Sequence, residues 1–166
     1  MLKEYRIVQM LITAAGILAL DQITKFLVVR YMEIGQSIPV FGKYLEITSH
    51  RNQGAAWGMF QGQMIFFYLV TVVVLALLVF IYKKEARNNF TAQLAITFLF
   101  AGALGNFIDR VLFQEVVDFI DVLIINYDFP IFNVADSALT IGVILMIIEV
   151  FITGKGDKDA KHKSHS

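Results

Sequence analysis

Residues 64–82 read MIFFYLVTVVVLALLVFIY, 19 positions without one charged side chain. A helix of that length spans about 28 Å, close to the roughly 30 Å of a bilayer's hydrocarbon core. Three other stretches are of the same kind. Ile7 to Val29 is apolar apart from Asp21, Gln22 and Lys25; Thr91 to Ile108 carries no charge; Ser137 to Thr153 carries only Glu149. Hydrophobic residues make up 57% of the 166 and charged ones 17%, against about 45–50% and roughly 25% in soluble domains. The excess is gathered into these runs, so the sequence predicts an all-α membrane domain of four spans, about 7–29, 64–82, 91–108 and 137–153. Residues 1–153 form one domain, and no internal repeat is visible.

The first stretch has a charged start, as a cleaved signal peptide does. Its apolar run, however, reaches Leu20-Asp21-Gln22 instead of a small-x-small site and then resumes through Val29, so a retained helix is expected. Nine lysines and arginines (Lys3, Arg6, Lys83, Lys84, Arg87, Lys155, Lys158, Lys161, Lys163) fall on one side of the four spans. Arg30, Lys43, Arg51 and Arg110 fall on the other. The positive-inside rule then puts both termini in the cytoplasm and residues 30–63 and 109–136 outside. Between Gln36 and Thr48, alternating and β-branched residues with turn formers suggest short strands, hence a small extracytoplasmic sheet lying on the membrane. Trp57, Phe60, Phe66 and Phe67 would sit at headgroup level, Trp57 as an interface anchor. The polar, Lys-rich segment 154–166 reads as a disordered cytoplasmic tail.

Zero formal net charge and the lack of a basic stripe give no sign of nucleic-acid binding. The absence of cysteine excludes disulfides, thiolate metal sites and a cysteine nucleophile. His162 and His165 lie in the tail and no His-Glu-x-x-His occurs, which argues against zinc chemistry; His50 has no visible partner. Serine–lysine chemistry would have to use Lys43 or the intramembrane Lys25, neither with an obvious serine. What remains is a group of outer acids: Asp109, Glu115, Asp118, Asp121, Asp128 and Asp136. Charges near a bilayer are costly, about 2.5–3.5 kcal/mol each at a helix centre, so boundary acids ask for a reason. Two close carboxyls share one proton: the ionised member can take a proton from water while the other donates to a peptide carbonyl. Spacing does not choose which two.

Five ordered blocks are more specific. They are Asp21-Gln22-x-x-Lys25, Arg51-Asn52-Gln53-Gly54-Ala55-Ala56-Trp57-Gly58, Gly102-Ala103-Leu104-Gly105-Asn106-Phe107-Ile108-Asp109-Arg110, Val116-Val117-Asp118-Phe119-Ile120-Asp121 and Phe132-Asn133-Val134-Ala135-Asp136-Ser137. From about Asp21 to Gly142 the chain resembles lipoprotein signal peptidase (signal peptidase II). The resemblance implies an aspartic-type intramembrane endopeptidase of the bacterial cell membrane, working near its outer face. It implies diacylglyceryl-modified prolipoproteins as substrates, cut just before the lipidated lipobox cysteine without metal or organic cofactor. Asp118 and Asp136 match that family's catalytic pair. Asn52, Gly54, Asn106, Arg110 and Asn133 match polar or close-approach positions around the substrate, and Asp21, Lys25 and Asp109 its other charges. Residues 36–60 would correspond to its surface β-cradle. A monomer in contact with membrane lipids is expected.

Plainer roles exist for several of these residues. Asp136 could cap the fourth span. Asp118 competes with Asp121, which would face the opposite side on a strand and the same side on a helix. Asp21 and Lys25, four apart, suit charge neutralisation on a helix. Arg110 could snorkel to headgroups, hold a substrate carbonyl or pair with Asp109. Gly102 and Gly105 suit close helix packing. A small transporter is the main rival, since intramembrane Asp21 and Lys25 would suit an ion path, and a non-catalytic envelope scaffold is another. Neither accounts for acids gathered at one face.

Overall fold

A computed structural model describes residues 5–54 and 59–163, with side chains as far as Ile152; Trp57 lies outside the described residues. In chain order the elements are α1 (Ile7–Tyr31), β1 (Ser37–Phe41), β2 (Leu45–Asn52), α2 (Met64–Glu85), α3 (Phe90–Phe113), β3 (Val116–Ile124), β4 (Tyr127–Asp128) and α4 (Val134–Lys163). Among the described residues four helices are long and apolar enough to cross a membrane, the fourth over Val134–Ile152. Helix α3 is central and packs against the other three. Gly102 and Gly105 allow its approach to α4. A methyl at Gly102 would stand 2.5 Å from the Ala135 carbonyl oxygen, and one at Gly105 2.7 Å from Asp21 Oδ2.

The sheet gathers at the end of the bundle where α1 and α3 finish and α2 and α4 begin. Its order is β1-β2-β3-β4, antiparallel throughout. The β-branched residues that suggested short strands form β1 and β2, which pair as a hairpin. The acid-bearing segment after α3, left open between strand and helix by its spacing, is strand β3. Its ladder sets His50 opposite Asp118 and Glu46 opposite Asp121, with an irregularity between Ile47 and His50.

Two spans differ in extent from the hydropathy reading. Helix α3 continues past Ile108 to Phe113, where Gln114 ends it in the left-handed region, φ 59°. Asp109 and Arg110 are therefore helical. The apolar run stops at Asp109, but a buried partner for that charge lets the helix go on. Helix α4 starts three residues before Ser137, at Val134, and its backbone stays helical to Lys163, into the segment read as a disordered tail.

Burial is inverted relative to a soluble protein. Leu11, Ile12, Phe26, Leu69, Val73 and Phe151 are exposed, while Asp21, Lys25, Gln93, Asn106, Asp109, Asp118 and Asn133 are buried. In lipid, apolar side chains lose nothing by facing outward, and polar ones must find partners inside.

Candidate active site

The polar core begins on α1. Asp21 and Lys25 stand one turn apart, and the Lys25 ammonium lies 2.9 Å from Asp21 Oδ2 and 2.9 Å from Asp109 Oδ2 on α3. Its third contact is donation to Asn106 Oδ1 at 3.0 Å. Gln22 Nε2 adds donations to Asp21 Oδ2 (3.1 Å) and Asp109 Oδ1 (3.0 Å). Neither carboxylate stops there. Asp21 Oδ1 accepts from the Ala135 N–H in the first turn of α4 (2.9 Å), and Asp109 Oδ2 from the Val117 N–H at the start of β3 (3.2 Å). One buried charge cluster thus fixes α1, α3, β3 and α4 to each other.

Asn106 and Asn133 carry this order outward. Asn133 caps α4, its Oδ1 accepting from the Asp136 N–H (3.0 Å) while Asp136 Oδ2 accepts from the Asn133 N–H (3.1 Å), a reciprocal capping box. Its side-chain Nδ2 donates to Asp118 Oδ1 (2.7 Å) and Asn106 Oδ1 (3.1 Å). Asn106 Nδ2 donates to Asp136 Oδ1 (2.8 Å), and Asn52 Nδ2, at the end of β2, to Asp118 Oδ2 (3.0 Å). Asp118 and Asp136 thus come from a strand and a helix, are joined through Asn133, and face one cavity of about 1100 Å³. Phe129, Pro130, Ile131, Phe132 and Ile141 supply its apolar side.

Burial, and next the neighbouring Asp136 charge, push the Asp118 carboxyl up to about 7 against the opposing pull of the Asn52 and Asn133 hydrogen bonds and of Lys25. A proton held near neutral pH beside a second carboxylate is what acid–base catalysis needs.

Arg110 closes another wall. Its Nη2 donates to the Gly54 carbonyl (3.1 Å), whose N–H is in turn taken by Asn52 Oδ1 (2.9 Å), and its guanidinium lies over the Phe67 ring at 4.5 Å. It makes no ion pair with Asp109, because Lys25 already occupies that carboxylate. Its buried Nε has no hydrogen-bond partner among the described residues.

Comparison with known proteins gives the family. A family model described as signal peptidase (SPase) II matches residues 13–152. The chain belongs to the signal peptidase II family. It is 57% identical over 158 residues to a lipoprotein signal peptidase of Staphylococcus carnosus (strain TM300), covering 95% of this chain and 99% of that one. It is 55% identical over 163 residues to the one from Staphylococcus haemolyticus (strain JCSC1435), covering 98% and 99%. Two solved bacterial membrane enzymes, obtained by the in meso method at 2.3 Å and 1.9 Å, share the fold. Their TM-scores are 0.90 and 0.84 at 52% and 54% identity, with 94% and 90% of this chain and 95% and 97% of theirs covered.

All ten site residues named from the signal peptidase II resemblance fall in one connected network, Gly54 through its backbone. Asp136 is not the cap of α4; Asn133 is. Asp121 and Asp128 also line the cavity; Asp121 Oδ2 accepts from Thr48 Oγ1 (2.8 Å) within the sheet, whereas Asp118 is bound by the asparagine network. Gln22 belongs to the network as well, and a polar side chain inside an apolar span is the sequence signal for it. His50 lines the cavity beside Asn52. Its place came from strand register, which local sequence does not reveal.

Proposed function

We propose that this chain removes signal peptides from prolipoproteins by aspartic-type hydrolysis, with Asp118 and Asp136 as the acting pair. The observation that carries the reading is their convergence: two carboxyls from separate elements, bridged by Asn133, on one cavity. Asp118 holds the proton and Asp136 is ionised. Asp136 takes a proton from water as the water oxygen bonds to the scissile carbonyl carbon. Asp118 gives its proton to the carbonyl oxygen, so no full oxyanion forms. The tetrahedral diol then collapses. A hydroxyl proton returns to Asp118, the Asp136 proton passes to the amide nitrogen, and the C–N bond breaks.

The substrate is the diacylglyceryl-modified precursor, cut just before the lipidated cysteine. The cavity suits it. The polar half meets the scissile peptide, and the apolar half runs along α4 to Ile141, itself partly open to the lipid-facing surface. The signal helix enters from the bilayer and the acyl chains stay in lipid. Arg110, with a free buried N–H, holds a backbone carbonyl of the substrate. Both termini are cytoplasmic, the cavity opens at the outer face, and the protein acts as a monomer. An ion path is disfavoured because Asp21 and Lys25 spend their charges on each other and on Asp109.

The test is cleavage of a diacylglyceryl-modified prolipoprotein by detergent-purified protein, with the unmodified precursor alongside. Wild type is expected to cut only the lipidated form. Asp118→Asn and Asp136→Asn should fold yet lose at least about 100-fold in kcat, the lower end of general acid–base contributions. Continued cleavage by either variant removes that residue from the mechanism.

A further inference from the structure

A second crevice lies at the opposite end of the bundle from the active-site cavity. Helices α1 and α2 each pack along α3 but not along one another. The gap is an apolar groove of about 220 Å³, walled by Met10, Leu11 and Ala14 on one side and Leu78 and Val79 on the other, with Phe100 in its floor. At one end it is closed by a built junction. The Tyr5 ring stacks on Tyr82 at 5.6 Å, the Tyr5 hydroxyl donates to the Lys83 carbonyl at 2.6 Å, and buried Gln93 Oε1 accepts from both the Arg6 N–H and the Tyr82 hydroxyl. This junction brings Arg6 and Lys83 to the same end. Both are exposed, and neither makes an ion pair among the described residues; Lys83 lines the groove, and the Arg6 guanidinium lies over the Phe90 ring at 4.9 Å.

An apolar slot ending in two cations that have no ion-pair partner among the described residues has the charge and shape of half a phospholipid. A zwitterionic headgroup would set its own cation beside Arg6 and Lys83, whereas an anionic one leaves both attractions unopposed. We infer that the groove between α1 and α2 binds an anionic phospholipid, one acyl chain lying on α3 and the phosphate held by Lys83 and Arg6. The lipid ties α1 to α2 along the length where they do not touch.

Native mass spectrometry of the full-length protein in detergent, titrated with dioleoylphosphatidylglycerol or dioleoylphosphatidylcholine, tests this. Wild type is expected to retain the anionic lipid about tenfold or more over the zwitterionic one. The Arg6→Gln, Lys83→Gln double variant should lose that preference while cleaving precursor like wild type, since both positions are remote from the cavity. Ala14→Trp, which fills the slot, should lower retention of either lipid. Soluble glycerol phosphate should not bind measurably; if it bound as tightly as the lipid, the site would be a simple anion site and the groove irrelevant. Equal retention of the two lipids by wild type, or an unchanged preference in the double variant, overturns the inference.

Discussion

The side chain on which the site turns is Asn106. Its Oδ1 accepts from Lys25 and from Asn133, so its amide cannot flip, and Nδ2 is left facing Asp136. Lys25 spends all three of its donors on Asp21, Asp109 and Asn106, which is how a buried ammonium is made tolerable. Replacing it by Met strands two buried carboxylates. Lys25→Met is therefore expected to lose about 3–5 kcal/mol of stability, read as a fall in thermal midpoint. Adding Asp21→Asn and Asp109→Asn should restore part of it; no recovery would mean that the lysine acts through packing instead. The Asp118 carboxyl, raised to about 7 mainly by burial, makes a pH prediction. An acid with a raised pKa keeps its proton where an ordinary aspartate has lost it, so the proton donor is present below about 7 and disappears above. The kcat/KM of cleavage should fall as pH rises through that value, and a flat profile from 6 to 8.5 would deny Asp118 the donor role.

At the scale of elements, the site is the meeting of a strand with a helix start. Strand β3 brings Asp118 inward because Val117 and Val116 are buried beside it and its edge is held by β2. Helix α4 brings Asp136 because the Asn133 capping box and the Asp21 carboxylate fix its first turn. That alignment needs α3 and α4 in close contact at Gly102. Gly102→Leu should cost about 1–3 kcal/mol through overpacking and reduce cleavage as well. Gly16→Leu on α1, with nothing within 4 Å of an added Cβ, should leave both intact or slightly improve stability. Similar thermal midpoints for the two variants would show that the α3–α4 seam tolerates widening.

At the scale of the whole molecule, lipid-facing apolar helices enclose a charged core, with a sheet at one end and Arg6, Lys83, Lys84 and Arg87 at the other. The absence of cysteine makes the proposed orientation directly measurable. A membrane-impermeant thiol reagent should label Lys43→Cys, in the β1–β2 turn, on intact spheroplasts, and Lys84→Cys only after permeabilisation. The reverse pattern would invert the topology and move the cavity to the cytoplasmic face. The number of spans, their order and the first strands were legible in the sequence because they depend on local quantities, uncharged length and two-residue alternation. The ten candidate site residues come from blocks that resemble a family, not from spacing, and the structure gathers them in one network. Tertiary structure alone decided that Asn133 caps α4, that α3 runs on through Asp109, that Asp121 is held in the sheet by Thr48, and that Arg110 turns to Gly54 instead of Asp109. Each depends on a partner supplied by a distant segment, such as Lys25 for Asp109 or β2 for β3. A buried polar group is settled by whichever partner folding brings within hydrogen-bond reach.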